Sequence, residues 1–182
     1  MKIVAIGGSL RPHSYTYQAL QVALSSIQNP AIQTELIDLR TLQLPFCDGS
    51  SLYTAFPDVE IFRQKVKSAS GVLLATPEYH GSLSGVLKNA LDLLDIEQLG
   101  GKAVGLIAVV GGVHSTSALN TLRLICRQLH CWVLPDQLII PHAASSFDVN
   151  GQLIDKELEE RLSKMTHYLV EIAEKLQRKA NH

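Results

Sequence analysis

The stretch TPEYHGSLSGVLKNALD, residues 76–92, follows a run of apolar residues and precedes a run with helical spacing. Its first half holds Pro, Glu, Tyr, His, Gly and Ser, which are poor material for a hydrophobic core. In its second half, Leu87, Ala90, Leu91 and the following Leu94 repeat at the interval of one helix face. The stretch therefore predicts a strand and a helix joined by an exposed polar loop, and such a loop is a candidate binding site.

Continuous apolar runs recur along the chain at intervals of roughly 30 residues, the length of one strand–helix–strand unit. Buried parallel strands have this character because helices cover both faces of their sheet. The predicted strands are KIVAIGG (2–8), QTELIDL (33–39), GVLLAT (71–76), AVGLIAVV (103–110) and the broken run WVLPDQLII (132–140).

Helical patterns with start signals lie between these runs. They follow Ser14 and Thr16, Asp58, Ser84, and Ser115 to Ser117, and a last helix is predicted from Asp155 to Gln177. The apolar stripe of the last helix is more typical of packing against a sheet than of a coiled coil. Strands that alternate with helices predict an α/β fold, a doubly wound five-stranded parallel sheet of order 2-1-3-4-5. The irregular connection at 40–57 indicates a functional or mobile loop.

The composition disfavours several function classes. The 182 residues carry a formal net charge of −1 without a run of like charges, so the basic surface of nucleic-acid or membrane-surface binders is missing. Cys47, Cys126 and Cys131 form no C-x-x-C pair, which disfavours a zinc site and a disulfide framework and suits a reducing cytoplasm. No apolar stretch reaches the roughly 20 residues of a membrane span. We expect one cytoplasmic domain over residues 1–182, with a small molecule or another copy of itself as partner.

The loop after the first strand has the chemistry of a phosphate cradle. Ligands of open α/β sheets bind beyond the carboxyl ends of the strands, where the strand order reverses, which here is between strands 1 and 3. The loop GSLRPHSYT (8–16) places hydroxyl groups, glycines and Arg11 just ahead of a helix N-terminus. The alternative is a polar turn in which Ser14 or Thr16 only caps the helix.

This loop favours a phosphate monoester over a dinucleotide. The pattern G-x-G-x-x-G is absent, and so is the lysine of a P-loop. Asp38, near the end of strand 2, has the position of a ribose-binding acid, but without the glycine pattern we interpret it as a strand-end turn residue. A mononucleotide such as FMN, with one terminal phosphate, is the better match.

The loop after the third strand could hold a flat ring system. Tyr79 offers an aromatic face, and Gly81 and Ser82 offer backbone N–H groups for a polar ring edge. Glu78 is interpreted as an acceptor of hydrogen bonds from loop amides or a partner subunit, with an acid–base role as the alternative. His80 is interpreted either as a neighbour of the ring or as an exposed loop residue.

The loop after the fourth strand adds glycines to the same rim. Gly111 and Gly112 would let the backbone approach a ring closely, or they only turn the chain into the next helix. His114 follows them, and we assign it no role in proton transfer.

Together, GSLRPHSYT and TPEYHGSLSGVLKNALD resemble the NAD(P)H-dependent FMN reductases of the flavodoxin-like fold. That family has a GSLR-x-x-S loop after strand 1 and a PEYN-GS-x-x-x-LKNAID segment after strand 3. The general pattern extends from strand 1 to about residue 140, and it implies a flavodoxin-like fold for this chain.

The resemblance also implies the cofactor-binding residues. For the FMN phosphate they are Ser9, Arg11, Ser14 and Thr16, with Tyr15 beside them; for the isoalloxazine ring they are Pro77, Glu78, Tyr79, His80, Gly81 and Ser82, with Gly111 and Gly112 on the same rim. The chain departs from the family pattern at three places. The family commonly has Asn at the positions of Thr16 and His80 and frequently Pro at the position of Ser84.

The activity that the resemblance implies needs no protein nucleophile. A hydride passes from the nicotinamide C4 of NADPH or NADH to N5 of FMN, and a second acceptor then takes the electrons in a ping-pong mechanism. Acceptors in this family include free flavin, quinones, azo compounds and oxidised metal species, and homodimers or homotetramers are usual. The alternatives are a flavodoxin-type electron carrier and an FMN-binding sensor without NAD(P)H oxidation.

Overall fold

A parallel sheet with helices on both faces forms the fold in the computed structural model, which describes residues 1–113 and 115–180. The strands are β1 (Lys2–Gly7), β2 (Gln33–Ile37), β3 (Gly71–Tyr79), β4 (Ser82–Leu83), β5 (Ala103–Val109) and β6 (Trp132–Ile140). The helices are α1 (Tyr15–Ser25), α2 (Pro57–Lys67), α3 (Gly85–Asp92), α4 (Ile96–Leu99), α5 (Ser117–Gln128), α6 (Ala143–Ser146) and α7 (Lys156–Ala180), with a 3-10 turn at Leu39–Thr41.

The strand order confirms the prediction. The parallel strands lie in the order β2-β1-β3-β5-β6, which is 2-1-3-4-5 for the strands predicted from the apolar runs. The sequence reasoning missed β4, which pairs antiparallel with the end of β3. The predicted end of the third strand at residue 76 was therefore too early, because the chain continues in β conformation through Tyr79 to form a hairpin.

The sheet separates two hydrophobic cores, because successive strand residues point to opposite faces. Ile3 and Ala5 of β1 join the core that α1 and α7 cover, whereas Val4 and Ile6 join the core that α2, α3 and α5 cover. The apolar stripe of α7 packs into the first core, as predicted for the last helix. Among the described residues, no helix combines the length and apolar character that crossing a bilayer requires.

The loop at 40–57 is irregular after its 3-10 turn, as predicted, but it is attached to the body of the protein. The side-chain amide of Asn89 on α3 donates to the carbonyl of Pro45 at 2.9 Å and accepts from the N–H of Cys47 at 2.9 Å. These bonds fix the middle of the loop against α3. The loop consequently forms one wall beside the carboxyl ends of β1 and β3.

The broken run at 132–140 is one strand with an irregular register. Pairing with β5 shifts between Val104 and Leu106, so the strand bulges near Pro135. Arg123 on α5 donates to the carbonyls of Leu134 and Pro135, which satisfies backbone groups that the bulge removes from the ladder. This arrangement keeps the edge strand β6 attached to the sheet.

A close contact at Gly8 joins β1 to β3 and α3. The N–H of Gly8 donates to the carbonyl of Ala75 at 2.8 Å, and the hydroxyl of Ser84 donates to the carbonyl of Gly8 at 2.5 Å. A Cβ atom at Gly8 would lie 2.5 Å from the Ser84 oxygen and 2.6 Å from Cβ of Leu87. Position 8 therefore requires glycine because the helix start approaches its backbone so closely.

The Gly8→Ala substitution should lower the free energy of unfolding by about 1–3 kcal/mol, since the added methyl group overlaps Ser84 and Leu87. Gly85→Ala is the matched control, because nothing lies within 4 Å of a Cβ at Gly85. That control should be neutral or stabilise by about 0.5 kcal/mol. Urea denaturation of both variants measures the difference, and equal stabilities would contradict the role assigned to the contact.

Candidate active site

A cleft of about 280 Å³ opens at the carboxyl ends of β1, β3, β5 and β6. It lies where the strand order reverses, the position at which open α/β sheets bind ligands. Its lining consists of Ser9, Arg11, Ser14, Tyr15, Thr16, Pro77, Glu78, Tyr79, Val109, Gly111, Ala143 and Ala144. Most of the predicted binding residues therefore come together in one place, although they arise from separate loops.

The loop after β1 presents unpaired donors to this cleft. The backbone N–H groups of Ser14, Tyr15 and Thr16, which line the cleft, donate to no other described residue. Ser14 is the N-cap of α1 and accepts from the N–H of Tyr17 at 3.3 Å, so the predicted alternative of a capped helix also holds. The cap leaves the amides ahead of Tyr17 free, and these amides with the positive end of the helix dipole favour an anion.

The exit of β3 forms the opposite wall. Pro77, Glu78 and Tyr79 are its last residues, and all three line the cleft. The carboxylate of Glu78 accepts from the N–H of Ala118, in the first turn of α5, at 3.4 Å. This long contact agrees with the interpretation of Glu78 as an acceptor for backbone amides, and it links the start of α5 to the end of β3.

The next residues form the turn of the β3–β4 hairpin. Tyr79 pairs with Ser82, so His80 and Gly81 are the two turn residues, with φ values of +51° and +77°. Positive φ at both positions is the signature of the turn that favours Asn-Gly, which explains in backbone terms why the family pattern has Asn here. His80, Gly81 and Ser82 do not line the cleft, so their assignment to the ring remains a prediction.

Two glycines, Gly111 and Gly112, follow β5, and their backbone is accessible. A Cβ at Gly111 or Gly112 would have no atom within 4 Å, and neither residue has a positive φ. The described protein atoms thus require glycine at neither position, which favours the interpretation that a ligand approaches there. Gly111 lines the cleft, whereas Gly112 does not; the carbonyl of Gly112 accepts from the N–H of His142 at 2.9 Å. His114 lies outside the described residues.

Sequence reasoning missed the contribution from Val109 and the start of α6. His142 adopts a left-handed conformation with φ of +46°, which turns the chain so that Ala143 and Ala144 reach the cleft. The N–H of Ala143 donates to the carbonyl of Val110 at 3.0 Å and fixes this turn. Alanine carries no chemical signal in a sequence, and the sheet register alone brings these residues to the site.

A second cleft of about 550 Å³ adjoins the first through Tyr79, which lines both. Its walls are largely apolar and come from the loops after β1 and β2 and from the start of α3; they include Leu10, Leu39, Leu42, Leu44, Phe46 and Val86. Three of the polar side chains among the lining residues, those of Arg40, Ser84 and Asn89, are hydrogen-bonded within the protein, and Arg40 is paired with Asp38. Ser84 bonds to Gly8 and Leu87, and Asn89 bonds to Pro45 and Cys47. This cleft suits an apolar occupant.

Behind both clefts, Tyr17 links the ends of β1 and β2. Its hydroxyl donates to the carbonyl of Gly7 at 2.9 Å and accepts from the N–H of Leu39 at 2.9 Å. Burial raises the pKa of Tyr17 far above its ordinary value, so the side chain stays neutral and keeps its proton for this bond.

Asp38 serves the turn after β2. Its carboxylate accepts from the N–H of Arg40 at 2.9 Å and pairs with the Arg40 guanidinium, whose hydrogen bonds hold the pKa of Asp38 below its usual range. This arrangement agrees with the interpretation of Asp38 as a strand-end turn residue.

The His80→Asn substitution should raise the free energy of unfolding by about 0.5 kcal/mol, because Asn suits the left-handed position of this turn better than His. Gly81→Ala should have the opposite effect, a loss of about 1–2 kcal/mol, since an L side chain is strained at φ of +77°. Thermal and urea denaturation of the two variants test the pair, and a destabilised His80→Asn protein would show that the ring makes a contact that outweighs the turn.

Comparison with known proteins agrees with the geometry. The sequence model of the NADPH-dependent FMN reductase family matches residues 1–145. An NAD(P)H-dependent FMN reductase of Pseudomonas aeruginosa is 34% identical over 176 residues, which cover 93% of each chain. An FMN-dependent NADPH-azoreductase of Staphylococcus haemolyticus is 33% identical over 142 residues, which cover 76% of each chain.

Solved structures share the fold at lower identity. FerB, a flavoenzyme NAD(P)H:(acceptor) oxidoreductase from Paracoccus denitrificans, superposes with a TM-score of 0.78 at 21% identity, covering 96% of this chain and 97% of that chain. A flavodoxin from the domain Archaea superposes with a TM-score of 0.66 at 13% identity, covering 97% and 99%. These structures show the flavodoxin-like fold.

The two motifs stand on the strands where they were predicted, and the family match extends over most of the chain. The chain therefore belongs to the NADPH-dependent FMN reductase family, whose members are oxidoreductases that use FMN and NAD(P)H.

Proposed function

We propose that this protein transfers a hydride from NADPH or NADH through FMN to a second, small-molecule acceptor in a ping-pong cycle. The observation that carries the proposal is the group of unpaired amides at residues 14–16, which shares a cleft with Tyr79 and Gly111. One end of this cleft offers donors for an anion, and the other offers an aromatic face and open backbone. A mononucleotide with a flat ring has both of these features.

The residues of the cleft fit FMN chemically. The amides of residues 14–16 and the hydroxyls of Ser9 and Thr16 provide hydrogen-bond donors for a phosphate monoester, and the exposed guanidinium of Arg11 provides a positive charge. Tyr79 and Gly111 line the part of the cleft that would hold the ring. FMN would contact the predicted residues that line the cleft. The other predicted residues, His80, Gly81, Ser82 and Gly112, do not line it and would contact the cofactor less directly.

The protein's contribution to catalysis would be binding and orientation. FMN, when bound, supplies the hydride chemistry. The phosphate donors fix one end of the cofactor, and the β3 exit with Tyr79 limits how a nicotinamide can approach. The contact between Glu78 and Ala118 would add a link between the start of α5 and the end of β3.

The second cleft supports a location for the acceptor. It adjoins the cofactor cleft at Tyr79, and the loop at 40–57 forms much of its wall. Its apolar lining with internally bonded polar groups favours an uncharged aromatic acceptor, such as a quinone or an azo compound, over free flavin or an oxidised metal species. The azoreductase relatives agree with this preference.

We further propose that residues 1–182 form one cytoplasmic domain that assembles as a homodimer or homotetramer. The three cysteines are free thiols in the structure, which suits a reducing compartment. Exposed Phe46, Leu52 and Tyr79 provide apolar surface near the clefts that a second subunit could cover.

The competing function is that of an electron carrier, since flavodoxins share this fold. Titration separates the two functions. The protein loaded with FMN under nitrogen should lose its flavin absorbance on addition of NADPH or NADH and regain it when a quinone is added. A flavin that stays oxidised in the presence of both nucleotides would contradict the reductase activity and favour the carrier.

The Arg11→Ala substitution should weaken FMN binding by about 1.5–3 kcal/mol, because a charge-assisted hydrogen bond to the phosphate is lost. Arg127→Ala is the matched control, since Arg127 is exposed near the C-terminal end of α5 and does not line the cleft. Fluorescence titration with FMN measures both affinities. An unchanged affinity in Arg11→Ala would remove Arg11 from the phosphate site.

A further inference from the structure

Arg40 connects the turn after β2 to the loop after β1. Its Nη1 donates to the carbonyls of Arg11 and Pro12, each at 3.0 Å. These two residues belong to the loop that carries the proposed phosphate donors. Arg40 itself does not line the cofactor cleft and lies instead on the wall of the second cleft.

The guanidinium of Arg40 is held in one orientation. Its Nε and Nη2 donate to the carboxylate of Asp38 at 2.8 Å and 2.6 Å. Its central carbon lies 4.3 Å from the ring centroid of Tyr17, a cation–π contact, and Tyr17 is fixed by Gly7 and Leu39. Both remaining hydrogens on Nη1 therefore point in a defined direction, towards the loop.

The loop has little else to hold it. Residues 10–13 are exposed. Apart from the bonds to Arg40, their one hydrogen bond to another described residue is a long contact of 3.4 Å from the N–H of Arg11 to the hydroxyl oxygen of Ser9. Because the peptide unit is planar and trans, a Pro12 carbonyl that points to Arg40 turns the N–H of His13 the opposite way. Arg40 thereby sets the direction of the His13 N–H, and it also holds the backbone of Arg11, which lines the cofactor cleft.

We propose that Arg40 is a positioning residue for the cofactor phosphate, one that acts through the backbone of residues 11–13 without touching the ligand. This inference rests on the proposed binding of FMN and adds the residue that aligns the phosphate donors. Asp38 and Tyr17 support Arg40 in this role.

The test exploits the difference between FMN and riboflavin, which have the same ring and differ in the phosphate. Arg40→Lys keeps the positive charge, but three hydrogens on one nitrogen cannot reproduce the planar fork that bonds both Asp38 oxygens and two carbonyls. It should weaken FMN binding about 10-fold, and riboflavin binding should stay within about 2-fold of wild type. The ratio of the two dissociation constants is the readout, because a general loss of structure would change both affinities.

Asp38→Asn separates positioning from simple electrostatics. It removes a negative charge near the loop. By charge alone this change would strengthen FMN binding, because the carboxylate no longer repels the phosphate. If Asp38 works by orienting Arg40, the substitution should weaken FMN binding and again leave riboflavin binding unchanged.

Arg63→Lys is the matched control. Arg63 also donates to two backbone carbonyls, those of Leu93 and Ser51, and lies beside an aromatic ring, that of Tyr53, away from the phosphate loop. This variant should keep the wild-type ratio of FMN to riboflavin affinity.

Two results would overturn the inference: a wild-type ratio in both Arg40→Lys and Asp38→Asn, or an equal loss of both flavins. A wild-type protein that binds neither flavin would overturn the proposed function, and the inference with it.

Discussion

The contact between the backbone of Gly8 and the start of α3 is the constraint on which the site depends. Gly8 bonds to Ala75 through its N–H and to Ser84 through its carbonyl, and no space is left for a side chain. The contact brings together the two loops that leave β1 and β3, although they are far apart in the sequence. Donors for an anion and a surface for a ring can share one cleft because this junction is tight. Ser84, where the family frequently has proline, both caps α3 and closes the junction.

The two clefts differ in how their polar groups are used. In the cofactor cleft, the backbone N–H groups of Ser14, Tyr15 and Thr16 have no partner among the described residues, so an anionic ligand can bind them without breaking an internal hydrogen bond. In the neighbouring cleft, Ser84 and Asn89 are already bonded, so an apolar ligand loses nothing there. This division of polarity across Tyr79 separates an anion-binding side from an apolar side. It is a stronger guide to function than the size of either cleft.

The sequence predicted the features that depend on residue type and periodicity. The apolar runs located the parallel strands, and the motifs after β1 and β3 located most of the cleft. Prediction from the sequence failed where backbone geometry determines which residues reach the site. His80 was interpreted through its side chain, whereas its positive φ in the hairpin turn is the feature the structure reveals. Ala143 and Ala144 reach the cleft through the register of β6, and an alanine in a sequence gives no indication of such a position. Arg40 was missed because it reaches the loop after β1 through backbone carbonyl groups, which every residue has.

The same contacts serve stability and binding in this protein. Tyr17 and Arg40 hold the loop after β1 from the side of β2, while Ser84 holds it from the side of α3. A loop that is held from both sides before the ligand arrives loses little conformational entropy on binding, so more of the interaction energy appears as affinity. The loop nevertheless stays exposed at residues 10–13, where Arg11 must reach a ligand that enters from solvent. Because this part of the loop faces solvent, the contacts that order it come from the protein side. The buried, neutral Tyr17 and the Arg40 stacked on its ring provide them.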